Sequence, residues 1–225
     1  MRKQKITGLI APVLEKFSAL GTLTEREVGE YAHIRKNGMS FHIRSYQLAG
    51  LGYLSTVEMQ AFLGLMRMDT LIFTPVYRDA PLFSFDRAVA MGLDTLMLEL
   101  YDLTVKGAGD LSGLARVGET MADLPDHKLG ERWYDYLQLP QTVVKRTKKA
   151  DARYVAGTLA FAEEYIRVLL AAPECGREEK LERIAFYVDG LFTKGSPTVE
   201  QFEKLIGKEA AWELYRRFVF SSRPE

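Results

Sequence analysis

The sequence predicts an α+β protein, on three observations. Five consecutive stretches between Met39 and Leu103 read as strands. The connections between them are short, which requires antiparallel pairing, since parallel neighbours need long crossovers. After Lys106 the pattern turns helical and stays so to the C-terminus. One run of strands followed by one run of helices places the helices on the faces of the sheet.

The elements follow in order. Residues 5–19 form an amphipathic helix, with Ile6, Leu9, Ile10, Val13, Leu14 and Phe17 at helical spacing. Pro12 inside it is expected to start a turn or to kink it. Residues 22–35 carry two readings: Thr24 with Glu25 and Glu27 caps a short helix, or Glu30 to Arg35 begins the sheet. Lys36-Asn37-Gly38 is a hairpin signal, and Met39 to Leu48 alternates as a strand. Ala49 to Gly52 turns the chain into a meander with strands near 53–60, 65–74, 82–90 and 94–103. Pro75 and Pro81 bracket a loop, and Gly92 marks a tight turn. Gly107, Gly109 and Gly113 loosen the chain before helices near 112–122, 129–137, 150–172, 178–192, 199–206 and 209–220. Ser196-Pro197 is a helix start and Gly207 a stop.

Bulk properties narrow the function. The 225 residues are 47% hydrophobic and 27% charged, ordinary for a globular chain long enough to bury a core. Thirty basic residues balance thirty acidic ones, so no global field draws the chain to nucleic acid or to an anionic membrane. Electrostatic docking must come from a local patch. A single cysteine, Cys175, excludes a disulfide framework and a cluster held by the chain's own thiolates, and suggests a cytoplasmic protein. Glu15 and Lys16 interrupt what would be a signal-peptide core, and no apolar run is long enough to span a membrane. His33, His42 and His127 lack metal-ligand spacing, so no metal is expected. Neither GxGxxG, a phosphate loop nor a GxSxG elbow occurs. The Lys145-Arg146-Thr147-Lys148-Lys149 run, with Lys128, Arg132 and Arg153 nearby, is the one basic cluster, read either as a solvated loop or as a docking patch for an acidic protein.

The meander buries acids, and an unpaired buried carboxylate is costly. By period-two geometry Glu58 shares a face with Leu54, Thr56 and Gln60. Asp86 shares a face with Leu82, Ser84 and Ala88, opposite Phe83, Phe85 and Val89. Small, mildly polar neighbours suggest that these acids look onto a ligand, while the aromatic side fills a core. Pairing with Arg67 or Arg87, or plain exposure to solvent, is the other reading.

Glu58 through Pro75, followed by Pro81-Leu82-Phe83-Ser84-Phe85-Asp86, resembles the ferredoxin-dependent bilin reductases, red chlorophyll catabolite reductase included. These carry an acid on one strand, a strand running into a proline, and then a Pro-x-Phe-x-x-Asp strand. Ser196-Pro197-Thr198, Ile206-Gly207-Lys208-Glu209-Ala210-Ala211-Trp212, Tyr215 and Val219-Phe220 are similar to the family's closing pattern. The resemblance covers roughly residues 40–104 and 183–221. It implies one domain over 1–225, a three-layer α/β/α sandwich with a central antiparallel sheet, and an open-chain tetrapyrrole such as biliverdin held between the sheet and the C-terminal helices. It further implies no bound redox cofactor, with ferredoxin, or flavodoxin in its place, as external electron donor.

Carried over by position, Asp86 is the proton donor and Glu58 a helper or a propionate-facing acid. Thr70, with Asp69 beside it, stands where some members place a histidine, and Gly195-Ser196 where many have Asn-Asp. Asp69, Asp102 and Asp189 are then candidates for a second donor. Arg67, Ser84, Lys145 and Arg146 are the substrate-binding candidates, the last two also for ferredoxin docking. A protein that keeps the fold and merely binds a bilin or another flat apolar ligand is the alternative.

Overall fold

The computed structural model describes residues 8–148 and 152–224. Residues 5–7 of the expected first helix, the start of the 150–172 helix and Lys149 lie outside them.

Eight strands form one antiparallel sheet: β1 (Leu23–Arg26), β2 (His33–Lys36), β3 (Met39–Leu48), β4 (Gly52–Ala61), β5 (Met66–Pro75), β6 (Leu82–Ala90), β7 (Leu93–Tyr101) and β8 (Val143–Thr147). The spatial order is β1-β3-β4-β5-β6-β7-β8, with β2 also paired to β3. The meander from β3 to β7 follows the predicted strands closely, because tight turns leave each strand no neighbour but the next. At Lys36-Asn37-Gly38 both Asn37 (φ 53°) and Gly38 (φ 73°) take the left-handed conformation of a two-residue hairpin turn.

Among the described residues six helices cover the sheet: α1 (Ile10–Ser18), α2 (Ser112–Glu119), α3 (Ala152–Ala171), α4 (Arg177–Thr193), α5 (Pro197–Ile206) and α6 (Lys208–Leu214), the last running into a π-turn over Tyr215–Val219. Pro12 falls in the first turn of α1, where its missing N–H costs nothing. Ser196 is the N-cap of α5 with Pro197 as its first residue, and Gly207 (φ 91°) separates α5 from α6, both as predicted.

The faces of the sheet carry two separate cores. On one, Leu54, Leu71, Phe73, Phe83, Phe85 and Leu98 pack with Phe17, Leu114, Phe161 and Tyr165 of α1, α2 and α3. On the other, Ile43, Val57, Ile72 and Tyr101 meet Val188, Phe202 and Tyr215 from α4, α5 and the C-terminal turn. The architecture is therefore the α/β/α sandwich. Ser45 and Ser55 explain how the C-terminal segment is seated: their hydroxyls donate to the carbonyls of Phe218 (3.1 Å) and Val219 (2.7 Å).

Three local expectations are corrected. Of the readings for residues 22–35, the helix cap loses: Thr24 lies in β1 opposite Gln47, and β2 follows a 3-10 turn over Gly29–Ala32. The Val143–Thr147 segment is an edge strand, hidden by its basic run. The helix expected at 129–137 reduces to a 3-10 turn at Asp135–Leu137, because Arg132, Trp133 and Tyr134 turn inward to line a cavity instead.

Candidate functional site

A cavity of about 550 Å³ lies between the second face of the sheet and the C-terminal helices, a size suited to a small organic ligand. Its floor is Thr70 of β5, Ser84 and Asp86 of β6, and Met97, Glu99 and Tyr101 of β7. Tyr187 and Leu191 of α4, Phe202 of α5, Tyr215, Val219 and Phe220 form the roof. One side wall is the 129–134 segment, the other Lys194 to Thr198. Gly190 shapes the first wall: a Cβ there would lie 2.2 Å from the indole of Trp133, so only glycine lets that ring rest on α4.

Strand register decides which acids look into this space. Thr70 and Asp86 are cross-strand partners, as are Ser84 and Glu99, so all four share the cavity face. Asp86 accepts from the Thr70 hydroxyl at one oxygen and from Ser84 Oγ (3.1 Å) at the other. Burial pushes its carboxyl up, and the negative Glu99 pushes it further. The two hydroxyls pull the other way but do not balance this, and the pKa rises to about 7. No cation within hydrogen-bond reach of Asp86 is found among the described residues. Burial also raises Tyr215, with the Asp86 charge as the next cause, so the phenol stays a neutral hydroxyl beside the acid.

Glu99 is held differently. Its Oε1 accepts from Arg132 Nη1 (2.9 Å) and Gln138 Nε2 (2.9 Å), and the ion pair is 15% and 7% exposed, hence largely desolvated. Arg132 also bonds Asp135 Oδ1 (2.8 Å) and stacks over Tyr134 at 4.7 Å. Lys194 on the other wall sits over the rings of Trp133 (4.6 Å) and Phe186 (5.2 Å). Two cations thus flank an aromatic cavity whose floor holds two carboxyl groups, Glu99 in an ion pair and Asp86 with a pKa raised to about 7.

Of the residues singled out in the sequence, Asp86, Thr70 and Ser84 meet in this cavity. Glu58, Asp69, Arg67 and Lys145 do not, because their register places them on the opposite face. There Glu58 is half exposed, 3.9 Å from His42 Nδ1. Asp69 is raised to about 6, chiefly by burial and then by Glu58. Lys145 is buried and bonded to Asp126 (2.6 Å) and to the carbonyl of Leu124 (3.1 Å). Arg146 donates to Thr95 Oγ1 (2.9 Å) outside the cavity lining. Asp102 bonds Thr104, and Asp189 is paired with Arg216 (2.7 Å), so neither proposed second donor reaches the site. Gly195 and Ser196 do line it.

Glu99 and Tyr187 were not anticipated, and Arg132 and Tyr215 were named only in the basic cluster and in the closing pattern, not as site residues. The alternation of β7 held a signal for the first: Leu96, Leu98 and Leu100 fill the dry core, which leaves Met97, Glu99 and Tyr101 on the face of Asp86. The other three arrive from distant segments.

The fold matches that of phytochromobilin synthase from tomato, a crystal structure in complex with biliverdin, with a TM-score of 0.78 and 14% identity over 96% of this chain and 83% of that one. No family profile and no curated sequence matches the chain. At that identity the likeness establishes the fold, and with it the structural side of the resemblance to bilin reductases.

Proposed function

We propose that this protein reduces an open-chain tetrapyrrole with electrons delivered singly by reduced ferredoxin or flavodoxin, using Asp86 as proton donor and no redox cofactor of its own. The observation that carries the reading is Asp86 itself. A carboxyl with a pKa of about 7, at the floor of an aromatic cavity, is protonated often enough to donate and acidic enough to do so readily. The shared fold, and the biliverdin in the tomato protein's structure, support a bilin as ligand.

Reducing one double bond takes two electrons and two protons. Asp86 gives a proton to the electron-rich radical formed by the first electron, and Thr70 and Ser84 stabilise the carboxylate left behind by hydrogen bonding. Reprotonated from solvent, Asp86 gives the second. Arg132 and Lys194 flank the space where propionate side chains of a bilin would lie, the role first assigned to Lys145 and Arg146. Both cores rest on one sheet, which supports reading 1–225 as one domain. We place the protein in the cytoplasm.

A second reading is a bilin carrier without turnover. It is favoured by one specific observation: of the acids expected to share proton delivery, only Asp86 faces the cavity. An absorbance titration with biliverdin, followed by reduced ferredoxin, its reductase and NADPH without oxygen, separates the two. A shifted bilin band that decays to blue-shifted products supports reduction. A shifted band that persists makes the protein a carrier, and no shift removes both readings.

A further inference from the structure

Two adjacent hairpin tips at one end of the sheet expose large apolar side chains that nothing in the cavity uses. Phe62, Leu63 and Leu65, in the turn from β4 to β5, are 69%, 107% and 75% exposed. Met91 and Leu93, in the turn from β6 to β7, are 95% and 38% exposed. Because Met66 pairs with Ala90, both turns project from the same end of the sheet, about 10 Å apart by strand spacing. The backbone is strained there as well. Phe62 (φ 51°), Leu63 (φ 56°) and Met91 (φ 53°) hold left-handed conformations that cost bulky residues energy.

The strand ends at the tips are basic. Residues 35–41, 59–68, 88–93 and 146–148 make up this end of the sheet and contain Arg35, Lys36, Arg67, Arg146 and Lys148 but no acid, with Lys36 also donating to the Leu205 carbonyl (2.7 Å). Of the acids that follow, Asp94 is buried and neutralised by a two-pronged pair with Arg87 (3.0 and 2.7 Å). The others are Asp69, whose pKa is raised to about 6, and the half-exposed Glu58, both on the face away from the cavity. Arg67 lies directly on the larger tip: a Cβ at Gly64 would be 3.3 Å from its Nη2. The local patch that a chain of zero net charge needs for electrostatic docking is here.

We propose that these tips dock the protein on an anionic lipid surface, Phe62, Leu63, Leu65 and Met91 entering the interface while the basic residues meet the headgroups. A bilayer accepts isolated, convex apolar knobs flanked by cations. A specific protein partner needs a continuous patch with a packed centre, which two separate turns do not offer. The cavity wall begins at Met68, three residues beyond Leu65, so docking would bring its edge towards the membrane. This inference is independent of the proposed reduction.

The test is co-sedimentation of the full chain with phosphatidylcholine vesicles prepared with and without phosphatidylglycerol. The wild type is expected to sediment with the anionic vesicles, much less with the neutral ones, and less as salt is added. The double substitution Leu63→Asp, Met91→Asp should cut partitioning about tenfold or more, each lost apolar insertion contributing. The milder Leu63→Ser, fully exposed and checked for an unchanged melting curve, should give a partial loss. The proposal is overturned if the wild type stays in solution, if it sediments equally with neutral vesicles, or if the double variant partitions as well as the wild type. It is equally overturned if the lipid-free wild type elutes as a dimer that the double variant turns into a monomer, since the tips then join two copies.

Discussion

Two acids on opposite faces of the sheet, Asp94 and Asp86, are held in opposite ways. On the face under α1, α2 and α3, Arg87 and Asp94 are 7% and 3% exposed and bonded through the Nε and Nη2 groups of one guanidinium edge, and Phe83 stacks on Tyr165 at 5.0 Å. On the face under α4 to α6, Asp86 has hydroxyls for partners and open space above. Asp94 is neutralised by a cation, so it gains order and loses reactivity. Asp86 has none, although its neighbour Glu99 is paired with Arg132, and so at a cost in stability it holds a proton near neutral pH. Strained or unpaired groups of this kind are retained where function requires them.

Breaking the pair on the dry face should have the largest effect. Asp94→Ala leaves Arg87 buried and uncompensated, and urea unfolding should show a loss of about 3–5 kcal/mol. On the cavity face the matching change is chemical. Asp86→Asn should lower bilin reduction about a hundredfold or more, while circular dichroism and biliverdin affinity stay close to wild type. Equal turnover by this variant would remove Asp86 from the mechanism.

The contrast sharpens with pH. The pKa of Asp86 is raised in the folded state, so the unfolded chain gives up its proton first and stability falls as pH rises. The loss develops between about pH 4 and pH 7, from the ordinary carboxylate value of 3.8 to the folded value of about 7. Asp86→Asn should therefore match the wild type at the acid end and exceed it by roughly 4 kcal/mol above neutrality. Denaturation at a series of pH values would check this, and a constant difference would refute it.

Two smaller effects complete the comparison. Glu99→Gln removes the negative charge that helps to hold the Asp86 proton, so the midpoint of the pH–rate profile should move to the acid side of 7. Glu58→Gln, on the other face and half exposed, should leave turnover within about twofold and stability within about 0.5 kcal/mol.

Much of the fold was legible because it is local. Alternation, tight turns and short connections leave the β3 to β7 meander one way to pair, and Ser196-Pro197 and Gly207 mark helix ends by backbone chemistry alone. β8 escaped because an edge strand needs few apolar residues, and its lysine run reads as loop. In the site, Asp86, Ser84 and Thr70 were legible from the family pattern, and period two joined the first two. Glu58 was misplaced although its own strand was read correctly. Parity within a strand says which neighbours share a side chain's face, but not which face of the sheet that is.

The sequence by itself determined the α+β class and the order of the β3 to β7 meander, because those depend on residues close together in the chain. Only the tertiary structure decided that Glu58 and Asp86 lie on opposite sides of the sheet, that Glu99 and Arg132 form a buried pair, and that Tyr187 and Tyr215 close the roof. Cross-strand register and helix docking join residues up to a hundred or more positions apart, and a carboxyl's proton affinity depends on what those joined residues exclude.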